Sequence, residues 1–328
     1  MTVFLVRRLV WTAFVLFAIT VLTFLIFFAT PGIDPAAAMA GRNTDPATVE
    51  SIRRDFGLDR PLPVQYTMMM KRMFVDRDLV SYTNRGVQVL PQIKAAAPVT
   101  LSVVLGAAVI WLLLSTLIGI AAATFRGTVI DPLLMALGLV ALSTPVFWLG
   151  EVVNLLTQSR FHDSLLFSWV PALGYTPLTE DPLLWFRHLI IPWIVLAVGF
   201  IGLYSRVLRS SLLEVQNEDF VRTARAKGLS ERRVMVRHVL RMSLISFVSL
   251  FGLDFGALVG GGAVLVEVVF GLPGVGSLIF RSASGLDLPV VMATVIYAAF
   301  FIVLANAVVD VVYALLDPRI RLGRTQTA

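Results

Sequence analysis

Residues 95–125 read Ala-Ala-Ala-Pro-Val-Thr-Leu-Ser-Val-Val-Leu-Gly-Ala-Ala-Val-Ile-Trp-Leu-Leu-Leu-Ser-Thr-Leu-Ile-Gly-Ile-Ala-Ala-Ala-Thr-Phe, thirty-one residues without a charge. A helix needs about 20 mostly apolar residues to cross a hydrocarbon core about 30 Å thick. This run is long enough to cross a bilayer, with Pro98 expected in its first turn, where a missing N–H is tolerated. Five further runs share its character. Leu9–Thr30 carries no charge, and Pro132–Thr157 is apolar up to Glu151. Leu189–Ser205 has Pro192 and Trp193 near its start, as suits a helix entering from an interface. Ser243–Phe270 is glycine-rich and holds Asp254 and Glu267, and Pro289–Val309 closes the set. The expected fold is an all-α polytopic membrane protein of six transmembrane helices, with both termini on one side.

The whole-chain composition agrees. Of 328 residues, 57% are hydrophobic and 15% charged, against about 45–50% and about 25% in soluble domains. The absence of cysteine excludes a disulfide-stapled domain and any thiolate-ligated zinc or iron–sulfur centre. His162, His188 and His238 are too scattered to form a metal cluster, so no metal site is expected. The first run follows Arg7 and Arg8 as a secretory signal would, but its 22 residues exceed the usual apolar core of about 7–15, and no Ala-x-Ala exit follows. A retained anchor is expected.

Orientation follows from lysine and arginine near span ends. Fifteen basic residues fall on one side (Arg7, Arg8, Arg126, nine from Arg206 to Arg241, and Arg319, Arg321 and Arg324), and three on the other (Arg160, Arg187 and Arg281). The first side is therefore cytoplasmic, both termini included, and the net charge of +6 reports topology rather than a nucleic-acid partner. Residues 1–30 hold the first span, 31–94 form an exterior segment, 95–316 the remaining spans with a cytoplasmic loop at 206–241, and 317–328 a cytoplasmic tail. In the exterior segment, turn signals (Pro31-Gly32, Asp45-Pro46, Pro61-Leu62-Pro63) flank a helix near Ala47–Phe56. Thr44 or Asp45 is its expected cap and Gly57 its exit. The run Gln65–Phe74 carries Tyr66, Met68, Met69, Met70, Met73 and Phe74. It reads as a stripe that packs on the membrane domain in preference to a ligand-binding module.

The cytoplasmic loop is more informative than its charge. Asn217 is a good N-cap, Glu218 and Asp219 sit at the positive end of the helix dipole, and Arg222, Arg225 and Lys227 crowd the other end before Gly228. Gly228 permits a left-handed turn, and Ser230-Glu231 restarts a helix through Arg237 and His238 into the next span. An ordinary positive-inside loop needs neither such capping nor Phe220 and Val221 on its surface beside the small Ala224 and Ala226. The elbow is expected to be gripped by a cytosolic partner.

On these residues the chain resembles the inner-membrane permease subunits of ATP-binding-cassette importers, within them the dipeptide, oligopeptide and nickel permease family. The elbow Glu218-Asp219-Phe220-Val221-Arg222-Thr223-Ala224-Arg225-Ala226-Lys227-Gly228-Leu229-Ser230 is similar to that family's EAA loop. Similar motifs run along the chain: Phe56–Tyr66, Pro98–Leu101, Pro145–Gly150, Gly261–Gly276 and Asn306–Arg321. The long exterior segment and the tail resemble the B-type member of the permease pair. The chain departs from the family at Ser246, where a proline is usual, and at Arg77-Asp78-Leu79-Val80-Ser81, where many relatives have Gly-Asp-x-Gly-x-Ser. The resemblance implies the type I importer permease fold and a peptide cargo, with nickel complexes, glutathione or sugars as alternatives. It also implies a sister permease, two cytoplasmic ATPase subunits carrying ATP and Mg, and an exterior binding protein.

No Gly-x-x-x-x-Gly-Lys-[Ser/Thr] loop is present, so the chain does not cradle nucleotide phosphates and is expected to be a non-catalytic subunit. The expected ATPase contact is Asp219, Phe220, Val221, Thr223, Ala224, Arg225, Ala226, Lys227, Gly228 and Leu229. Asp254 falls mid-span, where a charge normally faces a pathway or a partner helix. It could hold a peptide's amino terminus or meet the sister permease. Gly260 and Gly261 are path candidates that also suit close helix approach. Glu267 and Glu151, nearer span ends, read as interface carboxylates, although Glu267 is kept as a path candidate. Asp310 lies near Arg319 and Arg321. A secondary transporter or channel would show coupling charges in two similar halves, and an intramembrane enzyme a nucleophile with its base. Neither pattern is found, and neither accounts for the elbow.

Overall fold

A computed structural model describes residues 2–28, 34–40, 45–55, 57–81, 84 and 86–316. The expected turn at Pro31-Gly32, the side chains of Ser246 and Asp310, and the tail at 317–328 lie outside the described residues. In chain order the helices are α1 (Thr2–Phe28), α2 (Pro35–Ala40), α3 (Pro46–Asp55), α4 (Leu62–Met70), α5 (Val89–Thr124), α6 (Ile130–Ser143) and α7 (Val146–Asn154). They continue with α8 (Pro182–Val215), α9 (Asp219–Ala226), α10 (Glu231–Val234), α11 (Leu240–Ala257), α12 (Val264–Val269), α13 (Val275–Ser284) and α14 (Leu288–Leu316). Wider π turns follow α4 (Lys71–Asp76), α7 (Leu155–Arg160), α10 (Met235–Val239) and α11 (Leu258–Gly262). An antiparallel bridge joins Val80 to Gln88.

The protein is an all-α polytopic membrane protein. Among the described residues, four helical stretches, Val10–Phe28, Val89–Thr124, Pro182–Val215 and Leu288–Val308, are long and apolar enough to span, and a fifth is reached if the bent pair Ile130–Ser143 and Val146–Arg160 counts as one. That pair turns through 88° where one straight span was expected. Pro145 supplies no N–H and pushes Thr144 into extended backbone (ψ 119°), so the apolar run continues while the helix cannot. Within the expected Ser243–Phe270 span, Leu250–Gly262 is a shorter apolar helix, and Gly261 breaks the helical path at φ 110°. Two expected helix starts also move outward. Pro98 lies inside α5, which begins at Val89. Pro192 lies inside α8, which begins at Pro182, where the Asp181 carboxylate accepts the Leu183 and Leu184 N–H groups, each at 2.9 Å.

The chain divides into two compact units. The first comprises residues 1–101, 256–268 and 272–304. Its core is built by Phe24 and Phe28 of α1, Ile52 of α3, Met69 of α4, Val89 and Ile93 of α5, Val275 and Leu278 of α13, and Met292 and Ile296 of α14. Most of the methionine–aromatic stripe packs here: Met69 is buried, and Tyr66 meets Phe17 and Phe24 edge to face and shares a 2.7 Å hydrogen bond with the Thr20 hydroxyl, while Phe74 stays exposed. Each such aromatic pair contributes about 0.5–1.5 kcal/mol beyond its buried area. Helix α3 has the expected ends, with Asp45 accepting the Ala47 N–H and Gly57 left-handed at φ +62°. Beside the bridge, the buried Ser81 hydroxyl donates to the Asp287 carboxylate just before α14.

The second unit comprises residues 102–255, 269–271 and 305–328. Its helices close on glycine. A Cβ on Gly202 of α8 would stand 2.2 Å from the Gly138 carbonyl oxygen of α6, and one on Gly106 of α5 would overlap the Trp193 indole at 2.0 Å. Trp193 in turn donates to the Ser102 carbonyl at 2.9 Å. Small residues at such crossings let backbones approach closely, as membrane helices do where lipid removes the hydrophobic drive.

Candidate functional site: the charged elbow and the carboxylates of α11 and α12

The elbow is carried by α9 and α10 of the second unit. Helix α8 ends at Val215, and the Asn217 side-chain amide donates to the Leu213 carbonyl at 2.9 Å. Asn217 therefore satisfies the end of α8 and does not cap α9. The capping position is Glu218, in extended backbone at ψ 147° and with no side-chain bond. The cap lies one residue later than expected because Asn217 is taken up by the end of α8. Asp219 takes the first turn and Arg225 the last, each matching the helix dipole.

At the exit, the Gly228 N–H bonds to the Arg225 carbonyl at 2.9 Å and the Leu229 N–H to the Ala224 carbonyl at 3.4 Å. This is the paired bonding of a Schellman motif, and it requires the left-handed backbone that Gly228 adopts at φ +77°. Arg225 then reaches Glu231 on α10 with two hydrogen bonds, 2.8 and 3.3 Å. The fork ties the two short helices into one body, although exposed pairs of this kind contribute only about 0–1 kcal/mol.

Val221 is fully buried and Ala224 nearly so, which corrects the expectation that Val221 lies on the surface. At 100° per residue, positions 221 and 224 share the face turned into the protein. The face left outside carries Phe220, 42% exposed, with Asp219, Arg222, Thr223, Ala226 and Lys227 around it. Nothing stands within 4 Å of the point where a Cβ on Gly228 would project.

Two carboxylates of this unit also hold partners. Asp131, in the first turn of α6, holds Arg209 of α8 through two 2.6 Å hydrogen bonds. Sequence reasoning counted Arg209 only toward topology and missed the pair; Asp131-Pro132 at a helix start was the available signal. Asp254 of α11 is half-buried and accepts the Tyr204 hydroxyl at 2.7 Å. Tyr204 stands in an aromatic cluster with Trp111, Phe200 and Phe247. The other Asp254 oxygen has no hydrogen bond among the described residues.

Glu267 belongs to the first unit, and its environment overturns the reading of an interface-exposed carboxylate: it is fully enclosed. One oxygen accepts the Thr100 hydroxyl at 2.6 Å, and the other accepts the Ser277 N–H at 2.8 Å. The Thr100 oxygen accepts the Val275 N–H at 2.7 Å. Two side chains from elsewhere in the sequence thus take the free N–H donors of the first turn of α13, the role normally played by a local cap. Gly274 allows the approach, since a Cβ there would sit 2.3 Å from the Glu267 carboxyl carbon. Gly260 lies against Ala298 of α14, where a Cβ would stand 2.9 Å from its Cα, and Gly261 forms the kink. The carboxylate and both glycines therefore act together in one packed corner, whereas Asp254 lies in the other unit. Among the described residues, no group of three or more His, Asp or Glu side chains is placed to hold a metal ion.

The sequence matches the family of binding-protein-dependent transport system inner membrane components over residues 115–322, and the N-terminal family of the same components over residues 1–104. The chain belongs to this family. It is 36% identical over 342 residues to the di/tripeptide transport system permease protein DppB of Pseudomonas aeruginosa, covering 98% of this chain and 99% of that protein. To the oligopeptide transport system permease protein AppB of Bacillus subtilis it is 34% identical over 322 residues, again across 98% and 99%. The similarity spans the elbow, the Gly261–Gly276 corner and the N-terminal segment alike.

Proposed function

We propose that this chain is the peptide permease subunit of an ATP-driven importer, forming the translocation path with a sister permease. Two cytoplasmic ATPase subunits grip the 206–241 elbow, and an exterior binding protein delivers the cargo. The end-to-end similarity to peptide permeases supports the class and the cargo. The rigid, Schellman-closed elbow with Phe220 exposed is the observation that carries the mechanism. In this reading the bent α6–α7 pair is the third of six spans and the broken α11–α12 stretch the fifth. Residues 31–94 lie outside, both termini are cytoplasmic, and the membrane is the bacterial inner one. The distribution of basic residues supports that orientation.

ATPase closure moves the elbow as a lever and shifts the spans between inward and outward access. Phe220, Thr223, Ala226, Lys227 and Gly228 make the contact; Val221, Ala224, Arg225 and Leu229 hold its shape. Asp254, with one oxygen free, faces the path and takes a peptide's ammonium transiently, while Glu267, Gly260 and Gly261 serve the scaffold. The test is Gly228→Asn in the full complex. Asparagine tolerates left-handed backbone, and open space surrounds the site, so the chain should insert and accumulate normally. If a partner occupies that space, stimulation of ATPase activity by peptide-loaded binding protein should fall at least severalfold. Normal stimulation in a stable Gly228→Asn complex would refute the docking assignment.

A further inference from the structure

The first unit encloses a partly open cavity of about 490 Å³, within the roughly 300–1,000 Å³ range of small-molecule sites. Its walls come from α1, α4 with its π turn, the start of α5, and α14; Phe17, Met70, Met73, Ile93, Tyr297 and Phe300 set their character. Thr20 and Tyr66, two of the few polar side chains in the lining, already bond each other. Such a wall offers almost nothing to a peptide backbone, and an apolar hole does not hold ordered water.

One charge lines it. Arg77 follows the π turn in left-handed backbone at φ 59° and is exposed. Two cations of the same segment are paired, Arg53 with Asp34 at 2.6 Å and Lys71 with Asp76 at 3.5 Å. Arg77 lines the cavity and has no side-chain hydrogen bond or ion pair with the described residues. An apolar chamber with an unneutralised guanidinium, set among bilayer-spanning helices, complements an amphiphile with an apolar tail and an anionic head.

We infer that this cavity is a binding site for an anionic phospholipid, one acyl chain filling the chamber and the phosphate meeting Arg77. Guanidinium pairs with phosphate oxygens through parallel N–H donors, and methionine adapts to an irregular flexible tail. The inference needs only the membrane character of the chain and is independent of its cargo and of the elbow's partner.

The full-length chain, reconstituted in vesicles of phosphatidylethanolamine with phosphatidylglycerol, tests it. A phosphatidylglycerol carrying a photoactivatable acyl chain should label residues 70–74 and 293–300 well above the exposed α5 positions Leu113 and Leu117. Native mass spectrometry after extraction in mild detergent should show retained phosphatidylglycerol, reduced about fivefold in Arg77→Gln. Ala293→Phe, which fills the chamber, should abolish the label. Arg77→Gln alters only an exposed side chain, so its result stands if the filled variant fails to accumulate. Uniform labelling of all exposed apolar faces, undiminished retention in Arg77→Gln, or crosslinking of the chamber walls to another polypeptide would each overturn the site.

Discussion

Replacing Glu267 separates scaffold from pathway. Its two oxygens accept from Thr100 and Ser277, and Thr100 passes the connection on to Val275, so the carboxylate organises the first turn of α13. Glu267→Ala removes both acceptors and leaves the Ser277 N–H and the Thr100 hydroxyl buried without partners. Each orphaned donor costs about 1–3 kcal/mol, so the loss is about 2–6 kcal/mol before the emptied volume is counted. Glu267→Gln keeps one acceptor oxygen. It sets an NH2 group either against the Ser277 N–H, which is a clash of donors, or toward Thr100, whose hydroxyl can rotate to accept. The second arrangement orphans one donor at most, so glutamine should cost about 1–3 kcal/mol. The assay is thermal unfolding of the purified permease together with its steady-state level in the membrane. The expected order is wild type, then Gln, then Ala, with transport falling in proportion to the amount of folded protein. A Glu267→Ala permease of wild-type stability that transports nothing would refute this reasoning and return the carboxylate to the pathway.

The α6–α8 crossing gives a second expectation: Gly202→Ala drives a Cβ onto the Gly138 carbonyl at 2.2 Å, a backbone atom that cannot swing away, so unfolding temperature and membrane level should both drop. Asp131→Asn breaks the fork to Arg209 and should cost about 1–3 kcal/mol, read as a lowered unfolding temperature; an Asp131→Arg, Arg209→Asp exchange that restores it would establish the pair as the cause. Tyr204→Phe removes the hydroxyl that donates to Asp254 while keeping the ring in its cluster. If Asp254 takes cargo, this variant should shift the half-saturating peptide concentration without lowering the amount of permease, and unchanged uptake kinetics would count against a cargo role.

Local constraints were readable in the sequence and distant ones were not. Uncharged runs identify the long helices because the bilayer penalises every charge they might carry. Gly228 and Gly57 are legible because a left-handed exit is a property of one residue and its neighbours. Asp181-Pro182 carried the same kind of signal for the start of α8, and the apolar count over Leu189–Ser205 obscured it. The break at Thr144-Pro145 was hidden for a related reason: hydropathy averages over a window, while a proline acts on single hydrogen bonds. Glu267 was misread because its partner Thr100 stands 167 residues away, and Arg209 because Asp131 stands 78 away. No spacing rule reaches that far. Val221 was placed on the wrong face because the capping residues fix where a helix begins but not which side of it meets the rest of the chain.

The lever proposed for the elbow is useful only if it does not bend before its load moves, and the second unit bears on that requirement. Moving a two-state equilibrium from 1:99 to 99:1 takes about 5.5 kcal/mol of differential stabilisation. An elbow held by its exposed pairs alone, Arg222 with Asp219 and Arg225 with Glu231, would yield first, since each contributes no more than about 1 kcal/mol. Burial of Val221 and Ala224 and the paired backbone hydrogen bonds at Gly228 and Leu229 supply the firmer hold. Beyond the elbow, the Ser211 hydroxyl meets the Ser243 carbonyl at 3.4 Å between α8 and α11. The Asp131 fork and the Gly138–Gly202 approach join α8 to α6. In the proposed lever, close packing on glycine leaves no side-chain layer to absorb a displacement, so a push on α9 is expected to reach α6 as a movement of backbone.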